Sequence, residues 1–174
     1  KYSDAEPYFE VNGDDVMTLM YTSGTEAMPK GVMNTHANWY STFMSGVIDL
    51  HLLPEDTIIN SIPLYHVAGV NLLMGSLTIG TRVIMHHEPS PQEILQLVQG
   101  EKVTYLVYPP TIFTNILKLP IPNIEEFMGK SFASVRLAIL FGAPIAGASM
   151  RRLVEVLPNV YWINYYGQSE LTPL

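Results

Sequence analysis

The sequence predicts an α/β domain: a mostly parallel sheet with helices on both faces, preceded by a β-hairpin that carries a phosphate-type loop. Three observations lead there. Short apolar runs recur at 57–62, 82–85, 105–108, 135–141 and 160–164. Segments of helical length separate them, at 70–78, 91–99, 110–117 and 148–157. The runs are mainly apolar instead of strictly alternating, as strands covered on both faces require.

The elements follow in order. Residues 1–15 are polar and read as a linker, with the domain proper at 16–174. Two short strands, 17–21 and 32–34, form the predicted hairpin. Trp39, Phe43, Val47 and Leu50 recur at helical spacing and predict a helix over 36–52. Pro91 and Pro110 stand where helices begin, since a first-turn residue needs no N–H donor. Residues 118–132 break the alternation and read as a surface excursion. The chain shows no internal repeat and no low-complexity tract.

Composition narrows the function. The 174 residues are 48% hydrophobic and 14% charged, as in a globular domain with a sizeable core. A net charge of −7, with no basic cluster longer than Arg151-Arg152, argues against nucleic acid as a partner. The absence of cysteine excludes disulfides and thiolate metal sites and fits a reducing compartment. Residues 57–81 carry no Asp, Glu, Lys or Arg, a length that would span a bilayer. Asn60, Ser61, Pro63, His66, Asn71 and three glycines interrupt the segment, so it reads as strand, loop and buried helix, not as a transmembrane span. The N-terminal residues lack the apolar core of a signal peptide.

The densest chemistry lies at 21–32, Tyr-Thr-Ser-Gly-Thr-Glu-Ala-Met-Pro-Lys-Gly-Val. Thr22, Ser23 and Thr25 surround Gly24, and Lys30 follows. Hydroxyls and exposed backbone N–H groups donate to an anion, and lysine adds charge. The Gly24-to-Lys30 separation is that of a Walker loop, but Pro29 replaces its second glycine and Gly31 its magnesium-binding hydroxyl. An ordinary P-loop is therefore not expected. Taken alone, the loop fits two readings, an anion cradle and a polar hairpin turn.

Three further segments follow predicted strand ends: 63–69 (Pro-Leu-Tyr-His-Val-Ala-Gly), Gly142-Ala143-Pro144, and 165–170 (Tyr-Tyr-Gly-Gln-Ser-Glu). Ligands of open parallel sheets bind beyond the carboxyl ends of the strands, so all three are expected to face one rim. Each also has a plain reading as a turn. His36, His51, His86 and His87 lack metal-ligand spacing, and His86-His87 reads as rim surface.

Taken in order, these segments resemble the adenylate-forming superfamily of acyl- and aryl-CoA synthetases, luciferases and peptide-synthetase adenylation domains. Thr22, Ser23, Gly24, Thr25, Pro29, Lys30 and Gly31 match its Thr-Ser-Gly-Thr-Thr-Gly-x-Pro-Lys-Gly signature, while Glu26 and Ala27 depart from it. Residues 166–170 resemble the Tyr-Gly-x-Thr-Glu signature, with Ser169 for threonine. The resemblance implies that Tyr166 and Gly167 flank adenine and that Asn164 bonds the adenine edge. It likewise places Gly142, Ala143 and Pro144 beside the base, Ser169 on phosphate and Glu170 on magnesium. Lys30 and the loop donors would serve the triphosphate, and His66 would border the acyl site. The 63–69 segment offers no carboxylate to balance a substrate ammonium, which would be costly to bury unpaired. The expected acid is therefore fatty or aryl, without an α-amino group.

The implied reaction has two steps. A carboxylate attacks the α-phosphorus of ATP, giving acyl-adenylate and pyrophosphate, and a thiol, most often that of coenzyme A, then displaces AMP. ATP, Mg2+ and coenzyme A are the implied cofactor and co-substrates. The location expected is cytoplasmic, with membrane-peripheral as the alternative. The resemblance covers only the central part of the family's large N-terminal domain, without its small C-terminal domain, so the isolated chain is not expected to adenylate. Two alternatives stay open: a peptide-synthetase or luciferase-like activator, and a non-catalytic homologue that binds nucleotide or acyl-adenylate, a reading that Glu26 and Ala27 keep alive. Oligomeric state has no signal in the sequence.

Overall fold

The computed structural model describes residue 5 and residues 8–22 and 28–171. Strands β1 (Val16–Thr22) and β2 (Lys30–Thr35) pair antiparallel, with Thr22 opposite Lys30. Helix α1 (His36–Asp49) follows at once, because Thr35 and Asn38 close a reciprocal capping box. Five strands then build one sheet: β3 (Thr57–Asn60), β4 (Arg82–Met85), β5 (Tyr105–Tyr108), β6 (Leu137–Phe141) and β7 (Tyr161–Tyr165). Their order is β4-β3-β5-β6-β7, and every pairing is parallel.

Alternation along β5 and β6 divides the core. Leu106, Tyr108, Ala138 and Leu140 face a cluster with Ile94, Phe113, Met128 and Leu153. These come from α3 (Pro91–Glu101), α4 (Pro110–Ile116), α5 (Ile124–Ser131) and α6 (Gly147–Val156). Tyr105, Val107, Leu137 and Ile139 face the other side, against Val47, Leu50, Leu72 and Ile79 from α1, its cap and α2 (Val67–Ile79). Burying each large apolar side chain contributes about 1.5–3 kcal/mol relative to leaving it in water. A third cluster, Met20, Trp39, Phe43 and Val67, fixes the hairpin to α1 and α2, and Trp39 Nε1 donates to Thr18 Oγ1 at 2.8 Å.

The connection β3–α2–β4 crosses one face, and β4–α3–β5 crosses the other. Neighbouring strands β3 and β5 therefore send their chains to opposite sides, which opens a crevice at their carboxyl ends. Among the described residues, no helix is long and apolar enough to cross a membrane.

Several expected boundaries shift. Residues 118–132 are not merely a surface excursion: they contain α5, and its Met128 and the following Phe132 are among the most buried side chains. Helix α2 begins at Val67, three residues earlier than expected at 70, because the side chain of His66 caps it. Strand β2 begins at Lys30, two residues earlier than expected, and β3 ends at Asn60. Asn60 is turned inward instead, its Nδ2 donating to Gly69 O at 3.0 Å. His86 is not simple rim surface, since its Nδ1 is buried and has no hydrogen-bond partner among the described residues, while His87 is largely exposed.

Candidate active site

The carboxyl-end rim is assembled by backbone features that the sequence makes necessary. After β3 the chain turns so tightly that a Cβ on Gly69 would lie 2.5 Å from Pro63 O and 2.7 Å from Ile62 O. Only glycine lets α2 pack there. The turn sets His66 at the helix N-cap, where its Nδ1 accepts the Ala68 N–H at 3.1 Å. After β6, Gly142 takes φ +77°, a left-handed conformation that turns the chain away from the sheet. After β7, residues 166–168 lead into a 3-10 turn over Ser169–Leu171.

Two cavities meet on this rim. The first, about 160 Å³, lies between α2 and the β5–β6–β7 surface. His66, Gly142 and Gly167 edge it, and Val107, Ile139 and Phe141 form its sheet-side wall. The second, about 350 Å³, is bordered by Gly142, Ala143, Pro144, Asn164, Tyr166 and Gly167, with Tyr165 between. Gly142, Tyr165 and Gly167 line both. Leu140 pairs with Asn164 and Phe141 with Tyr165, so the loops after β6 and β7 leave the sheet side by side. A third groove, about 490 Å³, occupies the switch-point crevice between the ends of β3 and β5, and reaches His66 and Phe141 from the other side.

The structure thus brings together seven residues that the motifs single out, His66, Gly142, Ala143, Pro144, Asn164, Tyr166 and Gly167, and adds Tyr165 at the end of β7. Thr22 and Lys30 stand opposite each other at the hairpin mouth and line neither cavity. The hairpin is nonetheless tied to the rim, because Met20 and Val67, the residue after His66, share one cluster. Ser23, Gly24 and Thr25, with Glu26 and Ala27, lie outside the described residues. Ser169 and Glu170 begin the final turn, and the Glu170 side chain is exposed.

The first cavity is apolar, and among the described residues no Asp, Glu, Lys or Arg lines it. Its polar groups are few and mostly committed. Tyr105 donates its hydroxyl to Leu50 O at 3.0 Å, and burial, then the nearby Asp56 charge, raises its pKa. Burial, then the charge of Asp49, raises the phenol of Tyr165. In the third groove, burial pushes the Tyr108 phenol up to about 12. That hydroxyl lies near Ser61 but meets no partner in hydrogen-bond geometry among the described residues. These tyrosines are neutral at physiological pH and act as hydrogen-bonding or packing groups, not as bases.

The sequence motifs missed Leu50, Asn71, Leu72, Tyr105 and Val107, which line the first cavity. The signal available was the period of two along β5, which turns Tyr105 and Val107 toward the α2 side. Nothing local marks Asn71, which reads as an ordinary polar position of a helix.

Comparison with known proteins gives a consistent result. The sequence profile of the AMP-binding enzyme family matches residues 2–174. A 2-succinylbenzoate–CoA ligase of Bacillus velezensis is 35% identical over 147 residues, which cover 74% of this chain and 30% of that protein. A feruloyl-CoA synthase of an Amycolatopsis species is 29% identical over 171 residues, covering 98% of this chain and 33% of that protein. Among solved structures, the inhibitor-bound N-terminal domain of FACL13 from Mycobacterium tuberculosis superposes with a TM-score of 0.86 at 27% identity. The match covers 97% of this chain and 40% of that one. The chain spans about a third of the length of these curated relatives. Fold, motif order and family profile agree: this chain belongs to the AMP-binding enzyme family.

Proposed function

We propose that the protein carrying this chain is an AMP-forming acid–thiol ligase that activates a compact aryl acid through an acyl-adenylate and passes it to coenzyme A. The observation that carries the reading is the junction of the two cavities at Gly142, Tyr165 and Gly167. An apolar cavity joined to a glycine-walled one suits an acid whose carboxylate meets a nucleotide α-phosphate. The protein's task is then to hold two anions that repel each other at attacking distance.

The residues divide as follows in this reading. Gly142, Ala143 and Pro144 form one wall for adenine and Tyr166 the other, with Asn164 at the base edge. Thr22, Ser23, Gly24, Thr25 and Lys30 take the pyrophosphate, and Ser169 adds a hydroxyl. His66 borders the acid carboxylate. Its Nδ1 accepts from Ala68, which leaves the ring proton on Nε2, free to donate to a carboxylate oxygen.

Magnesium fits the same set. Among the described residues, no cluster of three His, Asp or Glu forms a cation cage, and Glu170 offers one exposed carboxylate. One carboxylate completed by phosphate oxygens and water is how magnesium is usually held beside a nucleotide. Bound there, it would neutralise charge on the phosphates.

The size of the first cavity favours an aryl acid over a long fatty one. At roughly 10–15 Å³ per water-sized group, its 160 Å³ takes about 11–16 such groups. Leu50, Leu72 and Tyr105 narrow its far end, beyond which lies a void of only 30 Å³. The relatives named as feruloyl-CoA synthase and 2-succinylbenzoate–CoA ligase support this choice. The described residues that line the cavity offer no carboxylate, which counts against amino acids. The third groove reaches His66 and Phe141 from the side away from the nucleotide cavity and offers the thiol its approach.

The test is ATP-dependent pyrophosphate release by the full-length protein across aryl, fatty and amino acids, with and without coenzyme A. The expected result is release with aryl acids and thioester only when coenzyme A is present. Folded protein that releases pyrophosphate with none of them would move the assignment to a non-catalytic nucleotide-binding homologue.

A further inference from the structure

The chain holds nine methionines and no cysteine, so every sulfur on it is a thioether. Burial sorts them. Met128 is enclosed in the core and Met20 is buried under the hairpin, whereas Met28 is 76% exposed. Met28 lies on the connection between β1 and β2, two residues before Lys30, and Pro29 and Lys30 beside it are exposed as well. Lys30 stands opposite Thr22, and none of the ion pairs among the described residues takes its ammonium. Met28 therefore sits at the hairpin mouth, beside an available cation. An accessible thioether is open to oxygen-transferring oxidants, while the buried ones are shielded. Met33 on β2 is also exposed, but it pairs across the hairpin with Leu19 and, by strand alternation, leaves β2 on the face opposite Lys30. It serves as the internal comparison.

We propose that Met28 is a reversible oxidation site: a peroxide converts its thioether to the sulfoxide, and the sulfoxide weakens the hold of the hairpin loop on the nucleotide phosphates. The inference rests on the assignment of that loop to the pyrophosphate made above. The step transfers one oxygen atom. A sulfur lone pair attacks one oxygen of hydrogen peroxide, the O–O bond breaks as the S–O bond forms, and the other oxygen leaves as water after proton transfer. Sulfur loses two electrons and the peroxide gains them. The product changes the local chemistry. A thioether is a weak acceptor, whereas the sulfoxide is polar and its oxygen carries partial negative charge. Two residues from Lys30, that oxygen competes with phosphate for the ammonium and repels the phosphate oxygens.

The experiment treats the full-length protein with hydrogen peroxide, locates sulfoxides by peptide mass spectrometry and measures ATP binding by calorimetry before and after. Met28 is expected among the first methionines oxidised, with ATP then bound roughly tenfold more weakly. The two methionine sulfoxide reductases, one for each epimer, should together restore the affinity. Met28→Leu should bind ATP as the wild type does and keep that affinity through oxidation, whereas Met33→Leu should still lose it. Three results would overturn the proposal and leave the nucleotide reading standing. They are a Met28 that stays a thioether while Met33 or Met85 oxidises, an unchanged ATP affinity with Met28 oxidised, and a loss that persists in Met28→Leu. No ATP binding by the untreated protein would overturn both.

Discussion

His66 Nδ1 accepts the Ala68 N–H at 3.1 Å, so one histidine both starts α2 and edges the first cavity. The two roles separate by substitution. Asn is a strong N-cap and should preserve the helix start, whereas Ala should cost about 1 kcal/mol of stability. His66→Asn is expected to unfold near the wild-type temperature yet lose at least tenfold in kcat/KM for the acid. Thermal unfolding and acid-dependent pyrophosphate release, measured on the same preparations, check this.

Gly69 makes the same turn possible. A Cβ there meets two backbone oxygens, at 2.5 and 2.7 Å, which no side-chain rotation can relieve. Gly69→Ala should destabilise the protein by about 2–3 kcal/mol, in the range of other strained or overpacked sites. It should also displace His66. Gly142→Ala has open space around it and only the positive φ to contend with, so the expected loss is nearer 1 kcal/mol. Denaturant midpoints of the two variants should differ in that order.

The N-terminal ends of the strands are locked by Asp56, which is 3% exposed. Arg136 Nε donates to Asp56 Oδ1 at 2.8 Å, and Arg136 Nη2 to Oδ2. Thr104 Oγ1 and the Leu53 N–H donate to the same carboxylate. Burial pushes the Asp56 pKa up, but these donors together hold it below the ordinary value. The folded state therefore releases this proton more readily than the unfolded chain. The resulting stability is complete above the unfolded carboxylate pKa near 4 and drains away as pH falls through the lower folded value. Asp56→Asn should lose about 2–3 kcal/mol at neutral pH, less than for a fully buried pair because the Arg136 side chain keeps 35% exposure. Its stability should also fall less steeply in acid. Urea unfolding between pH 2 and 7 reads both effects.

Much of this architecture is legible in the sequence because continuous apolar runs such as Leu137–Phe141 have no other stable home than a parallel sheet. The rim loops are legible because Gly69 and Gly142 serve geometries that other residues resist. Helix α5 was hidden because its segment is short and bounded by Pro120, Pro122 and Asn123, which mask the buried positions Met128 and Phe132. The cavity walls were hidden for a different reason. Tyr105 and Val107 come to line one cavity with Asn71 only when α2 folds back across β5, and no local spacing encodes that approach.

Glu26 and Ala27 replace the threonine and glycine of the family signature. A carboxylate in a triphosphate loop repels the ligand, and a Cβ at the second position restricts the backbone. Glu26→Thr combined with Ala27→Gly is expected to lower the KM for ATP several-fold while leaving the KM for the acid unchanged. An unchanged KM for ATP would show that Glu26 points away from the nucleotide.

In the proposed reaction the acid is activated at the α-phosphorus of ATP. The most direct measurement supplies the full-length protein with ATP, coenzyme A and a hydroxycinnamate labelled with oxygen-18 in its carboxylate, then weighs the AMP. AMP carrying one labelled oxygen, with unlabelled pyrophosphate, is the expected result. Label in inorganic phosphate together with ADP, or thioester formed with unlabelled AMP, would contradict it.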